Sequence, residues 1–174
     1  YRSLAATIAV GLGEHDHAIL LYRQMLADLP GSADVNLWLG HALKTVGRLP
    51  EAIDAYQAAA QARPNFGDAY WSLANLKTYR FPDDELARMQ AEESGAETQS
   101  VDRYHLCFAL GKAYEDRGDF STAWHYYERG NARKRVESRY RPELLEQNTA
   151  LQKQFLTTEF FKVREGYGAS SQEP

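Results

Sequence analysis

Small, aromatic and turn-forming residues return along this chain at a fixed interval, with apolar positions at helical spacing between them. Gly13 and Gly47, Ala18 and Ala52, Tyr22 and Tyr56, and Pro30 and Pro64 each stand 34 residues apart. The pattern predicts helix pairs: Tyr1 to Leu12 followed by His15 to Leu29, then two helices between Ala33 and Phe66. Fixed self-similarity at this period marks stacked helix-turn-helix units.

Each recurring residue has a physical task. The glycine ends the first helix of a unit, where the chain needs positive φ. The alanine lets the second helix approach its neighbour, the tyrosine fills the gap between units, and the proline ends the second helix. Tyr22, Tyr56 and Tyr127 are therefore expected to be buried between helices, with Ala18, Ala52 and Ala123 at the closest crossings.

The second unit carries Leu39, Gly40, Gly47, Ala52, Tyr56, Ala59 and Pro64, and this set resembles the tetratricopeptide repeat. The resemblance implies an all-α fold, a right-handed superhelix or α-solenoid. Three complete units and one clipped unit are expected, the first lacking its opening residue or two. A third unit opens with Gly67, Tyr70, Trp71, Leu73 and Ala74, but from Phe81 to Ser100 it departs from the pattern. Pro82 and three acids look like a helix start there, ahead of a short amphipathic stretch from Leu86 to Ser94. Leu110, Gly111, Tyr114, Gly118, Ala123 and Tyr127 restore the pattern. Ala123 lies 71 residues after Ala52 where two periods would give 68, so the third unit holds three extra residues and a local bend is expected.

The units are bounded at about 1–32, 33–66, 67–103 and 104–140. The last helix is expected to run to about Arg139, before Arg141 and Pro142. Pro142 suits a first helical turn, and Leu144, Leu145, Leu151, Phe155 and Leu156 continue a stripe to Phe161. Residues 141–164 are thus expected to form a capping helix, and residues 165–174, with two glycines and two serines, a linker or disordered tail.

Composition changes this picture little. A chain of 174 residues, 44% hydrophobic and 25% charged, suits one continuous helical core. A single cysteine forms no internal disulfide, and a cytoplasmic location is the default expectation. No run of 18 apolar residues is present, so no membrane partner is expected. The net charge of -4 argues against general nucleic-acid binding, although Arg129, Arg133, Lys134, Arg135, Arg139 and Arg141 concentrate positive charge. That run reads first as a solvated helix face and second as a docking strip.

Candidate chemistry is sparse. His15 and His17 lack a third ligand nearby and read as surface residues. Cys107 falls where the repeat packs a large apolar side chain, so it reads as a core thiol. No catalytic set, metal cluster or phosphate loop is present, and no cofactor is expected.

Beyond the repeat, the stretch from Asp102 to Asp116, followed by Tyr127-Glu128-Arg129-Gly130-Asn131, resembles the final repeat of bacterial tetratricopeptide-sulfotransferase fusion proteins. Phe160, Phe161, Gly166 and Gly168 match that family's link into its catalytic domain. The family's catalytic domain opens with a strand and a Pro-Arg-Ser-Gly loop for phosphoadenosine phosphosulfate, and no such loop occurs here. The resemblance implies a substrate-recognition arm whose enzymatic domain lies downstream. A free-standing scaffold for peptides or partner proteins is the alternative. Relatives that grip a terminal carboxylate use Lys, Asn and Arg where this chain has Asp34, Trp38, Asp68 and Ser72, an acidic set that would repel one.

A solenoid works by offering an extended concave surface. Counting along the first helices puts Leu37, His41 and Lys44, then Trp71, Asn75 and Tyr79, then Phe108 and Lys112 on that face. Leu37, Trp71 and Phe108 form an apolar strip at equivalent places, with His41, Asn75 and Lys112 one turn further along. The expected occupant is a peptide or protein segment.

Overall fold

A computed structural model describes residues 1–138 and 141–168. The chain divides into two units, Tyr1–Glu137 and Ser138–Pro174. In the first, the helices are α1 (Arg2–Gly11), α2 (His15–Asp28), α3 (Ala33–Thr45), α4 (Leu49–Ala62), α5 (Gly67–Ala74), α6 (Asp83–Ser94), α7 (Ser100–Asp116) and α8 (Phe120–Ser138). No strand occurs among the described residues. Consecutive pairs stack as an α-solenoid: α1 packs on α2, α2 on α3, α3 on α4 and α4 on α5, while α5 and α6 both pack on α7.

The turn glycines do what the spacing implies. Gly13, Gly47 and Gly118 share a φ of +79°. The next residue of each turn donates its amide five residues back, Glu14 to Ala9 O, Arg48 to Leu43 O and Asp119 to Tyr114 O, at 2.8, 2.9 and 3.0 Å. These bonds satisfy carbonyls that a helix end would otherwise orphan. Ala18, Ala52 and Ala123 are buried, as are Tyr22 and Tyr56. Tyr127 is only half-buried, contrary to expectation, because it stands in the last helix of this unit. Its hydroxyl instead donates to Glu115 Oε2 at 2.7 Å.

The third pair departs from the others earlier than the sequence suggests. Helix α5 has 8 residues, against 13 in α3 and 17 in α7. It stops at Ala74, Lys77 turns to a φ of +62°, and Leu76 and Phe81 fold into the core. Thr78 bonds the Leu76 carbonyl through both its amide and its hydroxyl, which competes with helix continuation. Arg117 holds the Phe81 carbonyl from α7's C-terminal end at 3.0 Å. At its other end α5 touches the start of α7. The Gly67 amide donates to Asp102 Oδ1 at 3.1 Å, and a Cβ at position 67 would lie 2.0 Å from the Asp102 carbonyl oxygen.

In the second unit, α9 spans Pro142–Phe155 and α10 spans Thr158–Lys162. One continuous helix to Phe161 is therefore corrected to two, since Thr157 caps α10 by accepting from the Phe160 amide at 3.2 Å. No residue of α9 or α10 is buried, and Leu144, Leu145, Leu151, Phe155, Leu156 and Phe161 are exposed. The stripe skips a turn at Asn148 and Thr149, which weakens it as a packing seam. Arg139 and residues 169–174, part of the expected tail, lie outside the described residues.

Candidate partner-binding face

Two aromatic residues from successive first helices meet as the register implies. The rings of Trp71 on α5 and Phe108 on α7 lie 5.4 Å apart, both half-buried. Phe108 is held from behind by Gly130 on α8, where a Cβ would stand 2.8 Å from its Cε1. The third member of the strip is absent from the surface. Leu37 is 5% exposed and belongs to the core, because α3 is packed by both α2 and α4. Its neighbour Trp38 takes the surface instead, 40% exposed and 6.2 Å from the Tyr22 ring. In the sequence, the signal for this face is the large aromatic next to the apolar position of the register.

The polar row is partly realised. His41 is exposed, and its Nδ1 lies 2.9 Å from the Tyr56 hydroxyl. Although the residue is exposed overall, desolvation of its ring pushes the imidazole below its ordinary pKa, while Asp68 pulls the other way. Lys44 and Asn75 are exposed, Asn75 as the C-cap of α5. Lys112 is ion-paired with Asp116, which also receives Arg80 at 3.2 Å. Tyr79 stands off the helix in the α5–α6 loop, so it is not part of a first-helix row. Its hydroxyl donates to Glu85 Oε2 at 2.6 Å and accepts from Gln57 at 2.8 Å. Beside His41 a cleft of about 160 Å³ opens, walled by His15, Tyr22, Trp38 and Thr45.

The remaining candidates are structural. Cys107 is buried with its Sγ 3.5 Å from Glu93, and burial first, then Glu93, pushes its thiol up to about 12. Glu93 is only 3% exposed and is matched by Arg129 Nη2, at 2.6 and 2.7 Å from its two oxygens. Lys134 donates to the Tyr104 hydroxyl at 2.9 Å. Two cations of the expected solvated strip thus hold α8 to the stack. Among the described residues no group of three or more His, Cys, Asp or Glu is placed to hold a metal. No described helix is long and apolar enough to cross a membrane.

An α-solenoid with a half-exposed aromatic pair on its first helices has the layout of a repeat-type binding module. Residues 9–76 match the tetratricopeptide repeat family, and the match ends at Leu76, where the third pair becomes irregular. Among solved structures the chain is similar to one described as the crystal structure of MamA, with 20% identity over 78% of this chain and 77% of that one, and a TM-score of 0.56. This likeness concerns the fold. No curated protein matches the chain.

Proposed function

We propose that this chain is a recognition module that holds an extended peptide or protein segment along its first helices. The observation that carries this reading is the contact of Trp71 with Phe108 across α5 and α7, with exposed His41 and Asn75 nearby in the register. An extended segment would bury side chains on the aromatic pair and bond its backbone to the polar groups, with the aromatic anchor dominating affinity. Selection of binders from a random peptide library, followed by titration, tests it. Trp71→Ala, checked for helicity by circular dichroism, should weaken the selected peptides by about 2 kcal/mol or more. Equal affinity in two equally folded proteins would move the binding face elsewhere.

The resemblance of Asp102 to Gly168 supports a narrower proposal, that this module is the N-terminal arm of a sulfotransferase and presents the acceptor to a catalytic domain. Reading the coding frame beyond Pro174 tests it. A strand followed by a Pro-Arg-Ser-Gly loop is the expected result, and a stop codon would favour a free-standing scaffold.

A further inference from the structure

Asp68 lies in the first turn of α5, three residues before Trp71, so the two share one face of the helix. It is half-buried, and no hydrogen bond or ion pair within the described residues engages it. Several other acids of the stack have cations, although Glu92 keeps one buried oxygen without a partner. Asp34 pairs with Arg63 at 3.6 Å, Asp102 with Arg63 at 3.2 Å, Asp116 with Lys112 and Arg80, and Glu93 with Arg129. Asp68 acts on an imidazole from each neighbouring first helix, His41 on α3 and His105 on α7. Burial holds both imidazoles below their ordinary pKa, so near neutral pH neither offsets its charge. Lys44 faces His41, while Asp102, Lys134 and Glu137 face His105, and Lys134 is already engaged by Tyr104 and Glu137.

The α5 N-terminus favours this carboxylate, but no side-chain cation among the described residues answers it, and a carboxylate on one helix face with a half-exposed indole has a complementary ligand. We propose that Asp68, with Trp71 and Phe108 beside it, reads a lysine or arginine side chain of the bound segment. The head group would donate charge-assisted hydrogen bonds to the carboxylate, and the alkyl stem would lie along the indole, where the ring face also attracts the cation. This rests on the recognition reading above and specifies its partner as a cationic, partly apolar segment.

Random nine-residue peptides displayed on phage and selected on the wild-type chain, on Asp68→Asn, on Asp68→Glu and on Asp34→Asn test the idea. Wild-type selection should enrich Lys or Arg at a fixed distance from an apolar residue. Asp68→Asn should lose that enrichment, Asp68→Glu should retain it, and Asp34→Asn, whose acid is already paired, should leave it unchanged. In titrations of one selected peptide, replacing its cation by Gln should weaken binding to wild type about tenfold and leave binding to Asp68→Asn unchanged. Replacing the peptide's residue needs no altered protein, so misfolding of a variant cannot obscure the result. Binders without cationic enrichment, or the same cationic preference in Asp68→Asn, would overturn this inference and leave the recognition reading standing. Recovery of no binder by the wild-type chain would overturn both.

Discussion

The ring of Tyr56 lies over Gly40 so closely that a Cβ added at position 40 would stand 2.5 Å from its Cε1. Tyr127 repeats the relationship over Gly111, with the same 2.5 Å approach. The glycine within a first helix and the tyrosine of the second therefore form one steric pair, in which the helix-weakening residue makes room for the ring.

Gly40→Ala should accordingly lower stability even though alanine favours a helix. Overpacking typically costs about 1 to 3 kcal/mol, and relief of the glycine penalty returns roughly 0.5 to 1 kcal/mol. A net loss of about 1 to 2 kcal/mol in urea denaturation is expected. Tyr56→Leu combined with Gly40→Ala should lose less than the two single changes add up to, because the clash is shared.

Arg129→Ala should be among the more damaging changes on α8. It would leave Glu93, 3% exposed, charged and without its cation, at a cost of roughly 3 kcal/mol. Replacing both residues by methionine should recover most of that loss, since the desolvated charge is removed as well. Chemical denaturation of the two variants separates these outcomes.

Stability should fall on acidification below the ordinary imidazole value of 6.5. His41 and His105 have depressed values when folded, so between those values and 6.5 the unfolded chain binds more protons. Their contribution is present above 6.5 and is lost as pH falls through the folded values. Glu92 opposes this: burial raises its value above 4.5, so its own contribution declines as pH rises through that lower window. The melting temperature should drop from neutral to mildly acidic pH, and the slope should flatten in His41→Gln/His105→Gln. A slope unchanged by the double substitution would assign the effect to other groups.

Cys107 should resist thiol reagents in the native protein. Its thiol is buried and pushed up to about 12, so little thiolate forms near neutral pH. Reaction with Ellman's reagent should be slow in buffer and complete in denaturant. Rapid native labelling would mean that the α7–α8 packing opens readily.

The regular half of the fold was readable because its determinants are local and periodic. Gly13, Gly47 and Gly118 mark the turns, and Ala18, Ala52 and Ala123 mark the crossings. The end of α5 was not readable, since Leu76 and Lys77 are ordinary helix formers with no breaker before Pro82. Beside the local bonds of Thr78, the segment after the helix is held by distant groups: Arg117 on the Phe81 carbonyl and Gln57 on the Tyr79 hydroxyl. The same limit hid the pairing of Glu93 with Arg129, 36 residues apart. On the candidate face, Leu37 and Trp38 exchanged roles through a rotation of one residue. Trp71 and Phe108, set by the repeat register, came out side by side.

The brevity of α5 bears on how the stack comes apart. In a linear array, cooperativity passes only between neighbours, and a unit with little stability of its own interrupts it. Two turns of helix give α5 few internal bonds, and its hold depends on α4, α7 and the bond from Gly67 to Asp102. Amide exchange should therefore divide the array at residues 67–82, with slow blocks on either side and a faster block between them. The segment that carries Asp68 and Trp71 would then be the part of the array most free to adjust around a bound chain.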